Sequence, residues 1–462
     1  MGAANEVGTL ERPLLERIRS WAAVTEPDLP AEDAGDARSG AADGALVRHV
    51  GIPAAHATVA RALTLLRALA RGEAGDEDLY GFARTERTID YADALVEDVA
   101  LDARERTALR PHARWLLRTA RHREPLKLGI VLVGLVGDER DVPDLITVAR
   151  HEEFTLYAAG ALGTVLADPI EAWLEIARSV SGWGKIEVVE RIAVRARGNA
   201  VAERWLLTDG CANAVMDEYL ALPCAEGGRL AAALETGVDE DVLDGACTIV
   251  SALAAGDPGP GLAAYRDGGP AVAMLIAELA GRCATVRRLA VVADVLEWIE
   301  RADVDDTQRL AAGFDSDRLA AVVGSCQEIL GRPGWDAEIH RALRSGSRLE
   351  RAHAWRVATR VGVDPWDDGF ASLTAGDDDD WLAFSLLQTD DAERARRTLE
   401  VLASRLPDGI AERALIFALR RLGTGDVRCD PLVAAGLASA SALCRELAVR
   451  AADAASPPSA DA

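Results

Sequence analysis

Apolar residues recur at helical spacing along almost the whole chain, and this confines it to all-α architectures. Ile170, Trp173, Leu174, Ala177 and Val180 fall at i, i+3, i+4, i+7 and i+10, one stripe on one helix face. Leu14, Leu15, Ile18, Trp21 and Ala22 repeat the pattern near the amino end, with Pro13 where a first helical turn tolerates it. Strand signals are nearly absent. Aromatic residues make up 5% of the chain, and no alternating β-branched run is bounded by Asn-Gly or Asp-Gly turns. Single hydrophobic cores stop growing near ~250–300 residues. A chain of 462 residues with no abrupt composition break between its halves is therefore expected to be either two domains or a repeat array.

The punctuation between helices supports hairpins. Asp168-Pro169 followed by Glu171 predicts a capping aspartate, a first-turn proline and a glutamate reaching back to the cap. Asp364-Pro365 and Asp430-Pro431 repeat the device. Connections such as Gly137–Asp141 are short, and short loops make neighbouring helices antiparallel. The segment Leu343–Ala358 is echoed 94 residues on by Leu437–Ala452, with matches at Leu343/Leu437, Ser345/Ser439, Ser347/Ser441, Leu349/Leu443 and Arg351/Arg445. That offset fits two units of a helical hairpin repeat of roughly 40–47 residues. The expected fold is an α-solenoid of HEAT-like antiparallel hairpins.

The expected layout is an amphipathic helix within 1–24, an acidic disordered linker at 25–45, helical regions at 46–125, 126–300 and 301–453, and a tail at 454–462. Thr25–Ala45 carries six acidic residues and two prolines with few large apolar groups, too little to pay for ordering. The first helix is expected to fold back and cap the array.

Charge and cysteine usage exclude several function classes. Lys and Arg number 51 against 75 Asp and Glu, a net charge of −24. Lys127 and Lys185 are the only lysines. A chain of this sign repels phosphate backbones, so nucleic-acid binding is not expected, and Arg394, Arg396 and Arg397 read as a solvated helix face. Seven scattered cysteines include no Cys-x-x-Cys, which supports neither a zinc ribbon nor a disulfide framework. The amino terminus shows no signal-peptide pattern, and apolar runs such as Leu128–Val136 fall short of a bilayer span, so a cytoplasmic protein with no membrane contact is expected.

Catalytic signatures fail on named residues. Gly184-Lys185 suggests a phosphate loop, but Ser179 stands where its first glycine belongs and Ile186 where Ser or Thr should hold magnesium. Gly182-Trp183-Gly184 begins a dinucleotide fingerprint, yet Glu187 replaces the last glycine. Glu350 and His353 form a single Glu-x-x-His, where a di-iron bundle needs two, and read as a surface carboxylate and a half-buried histidine. Asp377–Asp380 lacks the spaced oxygens and glycine of a calcium loop, and reads as the start of a helix near Trp381. No cofactor and no metal are expected.

One central stretch is dense in polar and aromatic groups. Ser181-Gly182-Trp183-Gly184-Lys185 leads into a helix with Glu187, Glu190 and Arg191, followed by Trp205 and then Asn213, Glu218 and Tyr219. Glu187 and Arg191 are four apart and can pair on one helix face. Trp183 and Trp205 read as core. Glu190, Asn213, Glu218 and Tyr219 lie beside apolar positions where they could line an inner surface. The binding candidates are thus Trp183, Lys185, Glu190, Arg191, Asn213, Glu218 and Tyr219.

This stretch, with His151-Glu152-Glu153-Phe154, Gly182-Trp183-Gly184-Lys185, Val189-Glu190-Arg191, Trp205-Leu206-Leu207 and Asn213–Leu220, resembles a group of bacterial HEAT-like proteins, most fully over residues 126–300. Some members of that group carry the label limonene hydroxylase. The resemblance implies either a repeat scaffold or a monooxygenase built around Glu190, Glu218 and Tyr219. Hydroxylating a hydrocarbon needs activated oxygen from a cofactor, and the sequence carries no motif for one. A base-removing DNA repair enzyme of the HEAT-like type needs a basic groove, against which −24 argues. The expectation is a scaffold that holds a protein partner on its concave face.

Overall fold

The computed structural model describes residues 12–20, 42–49, 51, 55–377 and 379–454. These residues fold into helices and turns, with no strand among them. The chain divides into two compact units, one of residues 1–275 with 298–319 and one of 276–297 with 320–462.

In the first unit the helices are α1 (Leu14–Ser20), α2 (Ala42–His49), α3 (His56–Arg71), α4 (Asp76–Thr85), α5 (Ala92–Asp98), α6 (Ala103–Thr119) and α7 (Arg123–Val136). They continue as α8 (Val142–Ala149), α9 (Glu152–Val165), α10 (Ile170–Ala177), α11 (Trp183–Arg195), α12 (Ala200–Trp205), α13 (Glu218–Gly227), α14 (Leu230–Thr236) and α15 (Glu240–Ala255). Helices α7, α9, α11, α13 and α15 pack side by side in chain order, making a first row. Helices α6, α8 and α10 each pack on the row helix that follows them, and α8 also packs on α10, making a second row. Antiparallel hairpins stacked in two rows are an α-solenoid.

The rows explain the sequence pattern. Ile170, Trp173, Leu174 and Ala177 are all buried on α10, and the Trp173 indole N–H donates to the Ala159 carbonyl at 2.9 Å. Helix α7 lies between neighbours on several sides, so Leu126, Leu128, Ile130, Leu132 and Val133 are all buried and its apolar character wraps the whole helix. Each fully buried Leu or Ile contributes roughly 1.5–3 kcal/mol relative to an exposed one.

The first two helices take opposite rows. Helix α1 packs on α6 and α8, burying Leu14, Leu15 and Ile18, with the Leu14 amide on the Ala120 carbonyl at 2.8 Å and Arg19 on Asp144 at 2.7 Å. It folds back as expected, but across the side of the second row. Helix α2 packs on α9 and α11 of the first row. Residues 42–45, expected as the end of a linker, therefore belong to a docked helix, because Asp43 finds a buried cation and Gly44 packs so closely that a Cβ there would lie 3.4 Å from the Trp183 Cβ. The remainder of the expected linker, most of the expected tail, Trp21 and Ala22 lie outside the described residues.

Helices α16 (Gly268–Arg282), α17 (Val286–Glu300), α18 (Asp306–Ala311) and α19 (Ser316–Leu330) come next in the chain. The second unit then continues with α20 (Trp335–Ser345), α21 (Arg348–Ala358), α22 (Trp366–Thr374), α23 (Asp380–Leu387), α24 (Ala392–Ser404), α25 (Glu412–Leu422), α26 (Asp430–Ala438) and α27 (Ala442–Ala454). Again α20, α22, α24 and α26 form one row, with α23, α25 and α27 forming another, around Leu386, Leu399, Leu419 and Cys444.

The echoed segments are equivalent pieces, the α20–α21 corner and the α26–α27 corner, with Ser347 and Ser441 just before α21 and α27. Three hairpin steps separate them, where the offset alone suggested two. The repeat is correspondingly short: α8, α10, α12 and α14 begin at residues 142, 170, 200 and 230. A pitch of about 30 residues suits these short helices, below the ~40–47 of longer hairpins.

Capping follows the sequence in part. Asp168 accepts from the Ile170 amide at 3.1 Å and Asp364 from the Trp366 amide at 3.0 Å, but Pro169 and Pro365 themselves stand at the cap positions, one residue outside the helices. Asp430 instead lies inside α26 as its first residue, with Cys429 at the cap position and no side-chain cap there.

Candidate functional site

The Ser181–Lys185 segment has backbone amides converging at the start of α11, the arrangement that binds anions. Its anion is internal. The Glu152 carboxylate, from the first turn of α9, accepts from the amides of Ser181 at 2.7 Å, Gly182 at 2.6 Å and Gly184. Gly184 permits this approach, since a Cβ there would lie 2.6 Å from the Thr155 hydroxyl and 2.7 Å from the Glu152 carboxylate. The resemblance of this loop to a phosphate cradle is thus a device that ties α9 to α11.

Lys185 and Asn213 serve the same neighbourhood structurally. Lys185 Nζ donates to the carbonyls of Asp209 at 2.9 Å and Ala212 at 2.6 Å, closing the π-helical turn Leu206–Gly210, and lies over the Trp205 ring at 5.7 Å. Burial holds its pKa below the ordinary lysine value. Asn213 uses its whole amide: the oxygen accepts from Val215 and Met216 amides at 2.8 Å each, and the nitrogen donates to the carbonyls of Cys211 at 3.1 Å and Met216 at 2.9 Å. Glu218 is the half-buried first residue of α13.

The other candidates meet beneath α2. Trp183 and Tyr219 lie 5.2 Å apart by ring centroid, and the His49 ring stands edge-on to both, at 5.6 and 5.8 Å. His49 Nε2 and the Tyr219 hydroxyl share a hydrogen bond of 2.8 Å. Arg48 ion-pairs with Glu190 through one guanidinium nitrogen and stands over the Tyr219 ring at 5.1 Å. Glu187 and Arg191 form the expected pair at 3.1 Å, and burial raises the Glu187 pKa against the pull of Arg191. Trp183 is therefore half-buried under α2, whereas Trp205 is core, at 7% exposure.

The amino end of α2 is held by a cluster that sequence reasoning missed. Lys127, 3% exposed, ion-pairs with Asp43 at 2.6 Å, Glu153 at 2.5 Å and Glu124 at 3.0 Å. The Tyr157 hydroxyl donates to Asp43 at 2.9 Å. Burial alone would lower the Lys127 pKa, but three carboxylates outweigh it and the net shift is upward. Burial raises the Glu153 pKa, because one cation shared among three carboxylates cannot fully compensate its desolvation. The signal was available: Lys127 stands alone as a cation in the apolar run of α7, and a lone charge there demands partners.

Beside α2 the first row carries an open trough of about 390 Å³. Val131, Leu135, Leu156 and Gly160 floor it, and the exposed Val47 of α2 and Val96 of α5 stand at its edges. Asp93 and Glu97 of α5 bring negative charge to it, and the Glu187–Arg191 ion pair of α11 also lines it.

In the second unit Glu350 is spent on capping, reaching back to the Ser347 amide at 2.8 Å while Ser347 accepts from Glu350. His353 is half-buried, as expected, and burial with the nearby Arg356 and Arg287 lowers its pKa to about 4. Asp379 caps α23 through the Trp381 amide at 3.1 Å, in keeping with the reading of the aspartate run. The arginine run is engaged locally. Arg394 pairs with Asp364 at 2.6 Å, Arg396 with Glu393 and Glu400, and Arg397 lies over Trp366 and Phe370 at 4.9 and 4.4 Å.

Among the described residues no three His, Cys, Asp or Glu side chains are grouped to hold a metal ion, and no helix is long and apolar enough to cross a membrane. No family model, curated protein or solved structure matches the chain.

Proposed function

We propose that this chain is a protein-binding scaffold whose recognition surface is the first-row face of its amino-terminal unit. The observation that carries the reading is the trough between α2 and α5, apolar in its floor and acidic at one edge. Contiguous apolar surface rimmed by charge is how interaction surfaces are built. The rim and the overall −24 favour a partner segment with apolar side chains and positive charge, and disfavour nucleic acid. Glu190 and Tyr219, on which an oxygenase would have relied, are engaged by Arg48 and His49. Seven free cysteines suit a reducing compartment, and we take the cytoplasm as its location.

Site-specific photo-crosslinking tests this reading. A benzophenone side chain replacing Val96 should join a discrete polypeptide in cells, whereas one replacing the exposed Leu349 of the second unit should not. The adduct should vanish when Leu135→Asp places a charge on the trough floor. An adduct that forms equally from both positions, or survives Leu135→Asp, removes the trough as the recognition surface.

A further inference from the structure

Helix α2 is a weak helix on a strong site. It has eight residues, well below the ~12–15 at which isolated helices hold themselves, so its helicity depends on the face it sits upon. Little apolar surface secures it: Asp43 and Gly44 are buried, Leu46 is partly covered, and Val47 is 41% exposed. Its attachment is mainly polar, with Asp43 on Lys127 and Tyr157, Arg48 on Glu190 and Tyr219, and His49 on Tyr219 and Trp183. The Arg48 contact is also incomplete. Its Nε is buried with no hydrogen-bond partner among the described residues, short of the two-pronged pairing that an arginine fork can make with a carboxylate.

The receiving face is more fully built than its occupant. It offers a buried ammonium beside a phenol at one end, and at the other the Glu190 carboxylate together with the packed Trp183 and Tyr219 rings. Lys127 and Tyr157 take the Asp43 carboxylate beside Glu124 and Glu153, which share that cation, and Glu190 takes the flat Arg48 cation; Asp43 and Arg48 stand five residues apart, a rise of about 7.5 Å along a helix. Val47 meanwhile forms one edge of the open trough, so a segment longer than α2 could fill the α2 seat and the trough together.

We propose that α2 is an in-chain stand-in for the partner, and that the face it covers takes, in trans, a short helix bearing a carboxylate and, five residues later, a guanidinium followed by a ring. This rests on the protein-binding reading above and specifies the partner's chemistry. The tethered α2 competes with the partner, so the apparent affinity is the intrinsic one multiplied by the fraction of molecules in which the seat is free.

The experiment uses the full chain and a fluorescent peptide of residues 40–51, followed by anisotropy, with hydrogen exchange of α2 in parallel. In the Asp43→Ala/Arg48→Ala chain α2 should lose protection, and the peptide should bind at least tenfold more tightly than to the unaltered chain. Adding Glu190→Gln to that variant should weaken peptide binding again. Should the double variant fail to fold, Arg48→Gln alone carries the same comparison. Equal affinities in the two chains, or no binding to a variant whose α2 is demonstrably released, overturn the proposal. So does α2 remaining fully protected in the variant, which makes it a fixed element of the fold. A peptide that binds as expected while no cellular adduct forms at Val96 would instead overturn the scaffold reading and leave the exchangeable seat intact.

Discussion

Replacing Lys127 by methionine should destabilise the amino-terminal unit strongly and in a pH-dependent way. The side chain is 3% exposed and is the shared cation for Asp43, Glu153 and Glu124. Removing one partner of a buried ion pair costs about 3–5 kcal/mol, because the other charge stays desolvated. Two of the three carboxylates have an escape: Asp43 can leave with α2, and the Glu124 side chain is 26% exposed. Glu153, at 8%, has none except to take up a proton. The full loss of about 3–5 kcal/mol is therefore expected near pH 8 and should shrink toward pH 5, since a raised carboxylate pKa favours the folded state in acid and loses that contribution as pH rises through it. Hydrogen exchange of peptides from α7 and α9 measures this within the one unit, which matters in a chain of two units that need not unfold together. Lys127→Met with Glu153→Leu should regain about 2 kcal/mol or more of the loss. A single-variant loss under about 1 kcal/mol, or one indifferent to pH, would refute the buried-charge argument.

Three further outcomes follow from single contacts. Gly184→Ala should cost about 1–3 kcal/mol, because its Cβ would press on Thr155 and Glu152 at 2.6–2.7 Å, and a melt unchanged within error would deny the close α9–α11 approach. Glu152→Ala should cost about 1–3 kcal/mol by stranding three amides, and sulfate should restore part of it by entering the vacated nest. The check is a melting temperature that rises with sulfate in the variant more than in the unaltered chain. His353, with its pKa lowered to about 4 from 6.5, binds a proton more weakly folded than unfolded. Stability should therefore fall as pH drops from 6.5 to about 4, by no more than about 3 kcal/mol and less where water still reaches the ring, and His353→Gln should flatten that acid limb in denaturation curves.

The all-α stack was legible because helical periodicity and Asp-Pro punctuation are local signals that tertiary contacts reinforce. The repeat length was not, since an offset of 94 residues divides equally well by two long hairpins or three short ones, and only helix boundaries decide. The candidate site was half legible. Trp183, Glu190 and Tyr219 stood out as large or charged groups beside apolar positions, and they do share a surface. Lys185 and Asn213 stood out for the same reason, yet their polar atoms serve backbone turns, a use that spacing cannot reveal. The greatest omission was α2. Its eight residues carry no stripe strong enough to announce a helix, and its order comes from Lys127, Tyr157, Glu190 and Tyr219, which are 84 to 171 positions away. Lys127 was the available clue, as a single cation within the apolar run that follows the first turn of α7.

The central claim is that the first-row face is a recognition surface and α2 its displaceable occupant. Hydrogen exchange of the full chain across a series of salt concentrations tests it most directly. The account predicts that amides at the Arg48 end of α2 lose protection in a salt-dependent opening well below global unfolding, while α7, α9 and α11 stay protected, because the partly exposed Arg48–Glu190 pair is screened by salt far more than the buried Asp43–Lys127 pair. Amides of α2 that exchange only together with α7 and α9, at every salt concentration, would contradict it.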